Sequence, residues 1–223
     1  MIADLLKQVP LFSNLNEPEY GLLAQVMTLR KFPKDCMIIW ARDEGDAFFI
    51  IQSGEVKVTA NASDGREVIL SSLGAGDFFG DMSLLDGEPR SANVTTLSPT
   101  EALVLRRVDF LRALKDYPSI AIHLMVALVA RLRKADHQTA NLALLGIADR
   151  ICQVLVEIAQ QNGVETPEGF LIRSRPTHQM IASMSGTARE TATRVLKRLT
   201  DDGYIRSRGR ELMIFKRSDS FVE

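Results

Sequence analysis

Thr177-His178-Gln179-Met180-Ile181-Ala182-Ser183-Met184 and Ala188-Arg189-Glu190-Thr191-Ala192-Thr193-Arg194-Val195-Leu196-Lys197-Arg198-Leu199 are two helical patterns separated by Ser185-Gly186-Thr187. Thr177 can cap the first, and Ile181 and Met184 give it a buried side. Gly186 can take the positive φ of a tight turn, after which Ala192, Val195, Leu196 and Leu199 resume helical spacing. The pattern predicts a helix-turn-helix. Near the start of its second helix stand Arg189, Glu190 and Arg194. An arginine fork pairs with guanine O6 and N7, and a carboxylate accepts from cytosine N4, so the trio can read G and C edges in a DNA major groove. An ordinary helical hairpin with a solvated charged face has the same spacing.

Charge distribution weighs between these readings. Residues 171–217 hold eleven Lys and Arg against four Asp and Glu, a balance of +7, whereas the whole chain holds 27 basic and 28 acidic residues. A polyanion would therefore be met by this end only. Tyr204-Ile205-Arg206-Ser207-Arg208-Gly209-Arg210-Glu211-Leu212-Met213-Ile214-Phe215 predicts two strands joined at Gly209, a basic wing beside the second helix. Phosphate contacts from such a wing supply affinity and register, while base contacts supply sequence preference. The candidate DNA-facing set is Thr177, His178, Gln179, Thr187, Arg189, Glu190, Thr191, Arg194, Lys197 and Arg208.

Upstream, glycines at 45, 54, 65, 74, 76, 80 and 87 punctuate short β-prone runs such as Phe48-Phe49-Ile50-Ile51, Val56-Lys57-Val58, Val68-Ile69-Leu70, Ala92-Asn93-Val94 and Ala102-Leu103-Val104-Leu105. This spacing predicts a jelly-roll or barrel-like domain over residues 1–117 that opens with short helices at 3–7 and 17–27, with a hairpin at Asp64-Gly65. Over residues 118–145 the period becomes helical. Met125, Leu128, Leu132, Ala135, Thr139 and Leu142 follow alternating steps of three and four, the seam of a coiled coil between two copies. The same stripe could pack on its own β domain, and the flanking Ile122, Leu124, Val129 and Leu144 leave a second apolar edge for both to hold. Residues 146–223 form the remaining domain.

The composition sets outer bounds. At 223 residues and 46% hydrophobic content the chain can bury one or two cores. No stretch approaches ~20 apolar residues, and Met1-Ile2-Ala3-Asp4 lacks the features of a secretory leader, so a cytoplasmic protein with no membrane partner is expected. Cys36 and Cys152, and His123, His137 and His178, are too scattered for a metal site, and none is expected. Gly-x-Ser-x-Gly, His-Glu-x-x-His and Walker-type loops are absent, so an enzyme is not expected either.

In this order, a β domain, a long helix and a winged helix-turn-helix, the α+β chain resembles the Crp/Fnr superfamily of bacterial transcription regulators. Gly76-Asp77-Phe78-Phe79-Gly80-Asp81-Met82-Ser83-Leu84-Leu85-Asp86-Gly87-Glu88-Pro89-Arg90-Ser91-Ala92 is similar to the phosphate-binding cassette of cyclic-nucleotide-binding domains. Arg189-Glu190-Thr191-Ala192-Thr193-Arg194 is similar to the recognition helix of the cyclic-AMP receptor protein branch. The resemblance implies a homodimer on a two-fold symmetric double-stranded operator with TGTGA-like half-sites. It implies a cyclic nucleotide effector, cyclic AMP by default, held by Gly80, Asp81, Met82, Ser83, Arg90, Ser91, Ala135 and Asp136. Arg90 would supply a permanent cation and Ser91 a hydroxyl.

Two departures bear on the effector. Asp81 stands where the family places a glutamate against the ribose hydroxyl, one methylene longer. Ala135 and Asp136 stand where relatives present hydroxyl or amide groups to adenine. Asp136 could accept from the adenine amino group or take guanine N1–H and N2–H with both oxygens, which makes a guanine nucleotide such as cyclic di-GMP the rival effector. A ligand-independent regulator with a vestigial pocket is the further alternative. RNA polymerase is a partner the resemblance allows, through the loop Asn162-Gly163-Val164-Glu165-Thr166-Pro167-Glu168-Gly169, which reads equally as a plain turn.

Overall fold

Phe48-Phe49-Ile50-Ile51 is apolar on every residue because the strand that carries it is covered on both faces. The computed structural model describes residues 2–61 and 67–215, in two compact units, Met1–Ala135 and Asp136–Glu223. In the first, α1 (Ile2–Leu6) and α2 (Glu17–Val26) precede eight strands, β1 (Met27–Phe32), β2 (Met37–Ile39), β3 (Ala47–Ser53), β4 (Val56–Asn61), β5 (Glu67–Leu73), β6 (Phe78–Phe79), β7 (Asn93–Thr96) and β8 (Thr100–Arg106). They form two antiparallel four-stranded sheets, β1-β8-β3-β6 and β2-β7-β4-β5. Side chains alternate along a strand. Phe48 and Ile50 of β3 therefore enter a core with Leu103, Leu105 and Phe110, while Phe49 and Ile51 enter another with Ile39, Val56 and Val94 from the opposite sheet. The Asp64-Gly65 turn lies outside the described residues, although β4 and β5 pair down to Asn61 and Glu67.

Strands β1, β2 and β6 were not signalled by the glycine-bounded runs, being short or polar on alternate residues. A one-turn helix, α3 (Met82–Asp86), ends at Gly87, whose φ of 78° accounts for glycine there. After α4 (Arg107–Asp116), the long α5 runs Pro118–Leu144. Ile120 and Leu124 of α5 are buried in the β-domain core, and Leu128 packs against it. Ile122, Met125, Val126, Val129 and Leu132 instead stand exposed, Val126 at 63% and Leu132 at 62%. The α5 stripe thus divides: Leu128 turns inward, and Met125 and Leu132 share the outer edge with Ile122 and Val129.

In the second unit, α6 (Ile147–Asn162) buries Ile151, Leu155 and Ile158 against Ile181, Ala192 and Leu196. The stretch 162–169, read above as a loop or plain turn, instead ends α6 at Asn162 and then forms most of a hairpin between β9 (Gly163–Thr166) and β10 (Gly169–Ile172). Thr166 closes its turn, its hydroxyl donating to Gly169 O at 2.9 Å and accepting from Gly169 N at 3.2 Å. The helix-turn-helix is α7 (His178–Met184) and α8 (Arg189–Asp201), followed by β11 (Ile205–Arg208) and β12 (Glu211–Phe215), in a sheet of order β11-β12-β10-β9. Thr177 caps α7 by accepting from Met180 N at 3.1 Å. Gly186 takes φ 61° at the turn, and Gly209 takes φ 59° where β11 passes into β12.

Candidate nucleotide pocket and nucleic-acid interface

Arg90 is a buried cation, 7% exposed. Its Nη1 donates to Gly80 O at 2.8 Å and to Ser83 Oγ at 2.9 Å, and its Nη2 donates to Ala47 O at 2.7 Å. Burial pulls the guanidinium below its usual pKa, while the charges of Asp46 and Asp81 oppose that shift. The seat exists because two residues lack a side chain. A Cβ on Gly45 would fall 2.2 Å from Ser83 Oγ, and one on Gly80, at φ 82°, would fall 2.8 Å from Arg90 Nη1 and 2.9 Å from Ala47 O. A guanidinium has five N–H donors, so these three bonds leave donor capacity for an anion.

Asp81 precedes α3 and is also buried, at 2% exposure. Its carboxylate accepts from Arg131 Nη1 at 3.1 and 3.3 Å, and Arg131 Nη2 donates to Phe78 O. The Arg131 guanidinium also lies 4.4 Å from the centre of the Phe78 ring. One side chain of α5 thereby ties the cassette to the long helix. Sequence reading missed Arg131, Gly45 and Ala47. Arg131 lies one turn before Ala135 on α5, but its partner is 50 residues away in sequence. Ser83 is buried beside Arg90, whereas Met82 and Ser91 are exposed and meet at 3.6 Å between Ser91 Oγ and Met82 Sδ. Ala135 and Asp136 are both exposed on α5. The structure therefore brings Gly80, Asp81, Ser83 and Arg90 together.

On α8, Ala192 and Leu196 are buried while Arg189, Glu190, Arg194 and Lys197 are exposed. Residues three or four apart share a helix face, so Glu190, Arg194 and Lys197 form one polar surface away from the core, with Arg189 at its edge. Thr177, Gln179 and Arg208 are exposed, and His178, Thr187 and Thr191 are half-buried. The Thr191 hydroxyl accepts from Arg194 Nη2 at 3.4 Å. Among the described residues, no three His, Cys, Asp or Glu side chains gather as a metal site requires.

Residues 29–117 match the cyclic nucleotide-binding domain, and residues 149–219 match the Crp-like helix-turn-helix domain. A ligand-binding domain joined to an operator-reading one defines a class, the DNA-binding transcription regulators. The cyclic AMP receptor protein of Thermus thermophilus is 34% identical over 201 residues, which are 90% of each chain. The c-di-GMP-responsive global regulator CLP of Xanthomonas campestris superposes with a TM-score of 0.80 at 26% identity, over 91% of this chain and 100% of that one. The catabolite activator protein of T. thermophilus gives a TM-score of 0.56 at 33% identity, over 92% and 93%. The chain belongs to the Crp/Fnr family of transcription regulators.

Proposed function

We propose that this regulator works as a homodimer whose affinity for an operator with TGTGA-like half-sites is set by a cyclic nucleotide, cyclic AMP by default. The observation that carries the ligand reading is the buried Arg90, a cation seated between two side-chain-free residues with N–H groups to spare. A phosphate would engage Arg90 and Ser91, and the ribose would address Asp81. Because Asp81 is held by Arg131, a ligand that competes for that carboxylate acts on α5 directly. The exposed α5 residues Ile122, Met125, Val126, Val129 and Leu132 support pairing of two copies, since leaving such a stripe in water is unfavourable. Two recognition helices would then meet half-sites ~34 Å apart.

A guanine nucleotide such as cyclic di-GMP is the second reading. Ala135 offers no side-chain hydrogen bond, the Asp136 carboxylate fits the N1–H and N2–H edge of guanine, and the Xanthomonas regulator is described as responsive to that molecule. Calorimetry of the purified protein with cyclic AMP, cyclic GMP and cyclic di-GMP decides between the two. No heat from any of the three would leave the ligand-independent alternative, which operator binding with and without nucleotide then tests.

A further inference from the structure

A groove of about 220 Å³ runs between α7, α8 and the β11–β12 hairpin. Its walls include the apolar Ile181, Leu196, Ile205 and Leu212, together with Arg175, His178 and Lys197. His178 Nδ1 lies 2.9 Å from Thr193 Oγ1, and the Thr193 hydroxyl donates to Arg189 O at 2.9 Å. A hydroxyl has a single hydrogen. With that hydrogen on the Arg189 carbonyl, Thr193 can only accept from the ring, so Nδ1 carries the imidazole proton. Nε2 of the neutral ring is then a bare lone pair, which repels a phosphate oxygen. Protonated, it becomes a charged donor.

We propose that His178 is a proton-coupled phosphate contact: operator binding takes up one solvent proton per protomer at Nε2, which donates to a backbone phosphate held jointly by Arg175 and Lys197. The inference rests on the helix-turn-helix being the operator reader. No covalent bond changes; a proton leaves solvent, and an N–H···O bond to phosphate forms. The charged groups lining the groove with His178 are Arg175, ahead of α7, and Lys197 on α8. The wing contributes Ile205, Ser207 and Leu212, which carry no charge, and α6, which packs on α7, contributes none of the described lining. A phosphate is a counter-ion that suits this cluster of cations. Imidazole titrates in the physiological range, unlike guanidinium or the usual ammonium.

The test is fluorescence anisotropy of the full chain on a symmetric duplex with TGTGA-like half-sites, with and without saturating cyclic AMP, between about pH 6 and pH 8 at fixed ionic strength. The wild type should tighten as pH falls, by up to roughly tenfold per pH unit for each half-site engaged. His178→Asn keeps a donor at the place of Nδ1 for Thr193 but cannot titrate, so it should lose this slope. His178→Lys should bind tightly with a flat profile. Calorimetric titration in two buffers of different ionisation enthalpy should show proton uptake by the wild type and not by His178→Asn. A flat wild-type profile, or an equal slope in His178→Asn, overturns the inference. Absence of sequence-dependent binding by the wild type at every pH would instead overturn the operator reading on which it rests.

Discussion

Replacing Arg131 by methionine removes the ion pair between the cassette carboxylate and α5, and the geometry sets its cost. The Asp81 side chain is 3% exposed, and its ion-pair partner Arg131 is 38% exposed. Stripping one partner from a fully buried pair costs about 3–5 kcal/mol, because the other charge is left unpaired. Arg131 is more than a third exposed, so water can follow the missing guanidinium, and about 2 kcal/mol is the better figure. Losing the stacking on Phe78, at 4.4 Å, adds about 0.5–1 kcal/mol. Arg131→Met should therefore destabilise the β domain by about 2–3 kcal/mol. Asp81→Asn keeps an acceptor for Arg131 and should cost about 1 kcal/mol. The double variant should be more stable than the sum of its parts by about 1–2 kcal/mol, since neither charge then stands alone. Urea unfolding of the four proteins, followed by circular dichroism at neutral pH, measures the cycle. Additivity within about 0.3 kcal/mol, or an Arg131→Met protein as stable as the wild type, would refute the reasoning.

Glu190→Ala should relax preference at one C·G pair of each half-site by roughly 1–3 kcal/mol, whereas Lys197→Ala should weaken all sequences and reduce the salt slope by about one per protomer. Selected-duplex sequencing and salt titrations separate the two effects. Leu132→Asp, on the exposed edge of α5, should shift the protein towards monomer in sedimentation with little change in the thermal stability of the β domain. Burial raises the Glu55 carboxyl above its ordinary pKa. The folded protein then keeps that proton to higher pH than the unfolded chain, so the contribution to stability is full below the unfolded value of about 4.3 and is lost as pH rises through the folded one. Glu55→Gln should thus leave acid stability unchanged and raise stability at neutral pH, read from unfolding midpoints across that range.

The parts legible in the sequence are those whose signal is local. Thr177, Gly186 and the run from Ala192 to Leu199 encode α7, the turn and α8 within 23 residues, because caps, positive φ and a 3.6-residue period are short-range properties. The β9–β10 hairpin is weakly signalled because its first strand is four residues, of which Gly163 and Glu165 carry little strand signal. The pocket was half legible. The resemblance places Gly80 in the effector site, and its missing Cβ already serves the protein, making room for Arg90 and the Ala47 carbonyl. Asp81 stood out as a shortened acid, yet its partner Arg131 could not be inferred from spacing, since a β-roll brings together residues with no fixed separation along the chain. Sequence periodicity showed an apolar stripe on α5, and packing then decided which of its residues face inward.

That arrangement divides the proposed effector's task between two groups. Arg90 spends its bonds on Gly80, Ser83 and Ala47, all within the β domain, so a phosphate that adds to it or displaces one of them leaves α5 untouched. Asp81 is bound to Arg131, so a hydroxyl that takes a share of its carboxylate loosens a contact belonging to the long helix. Exchanging one internal hydrogen bond for another nets only about 1 kcal/mol, the scale of typical allosteric coupling of 1–3 kcal/mol. A ligand shifts a conformational equilibrium only through contacts that differ between the two states. On this reasoning the phosphate anchors and the ribose hydroxyl switches. The 2′-deoxy analogue of cyclic AMP should accordingly bind the pocket in calorimetry, yet leave operator affinity within about twofold of the ligand-free protein. If the analogue changed operator affinity as fully as cyclic AMP does, the switch would not run through Asp81 and Arg131.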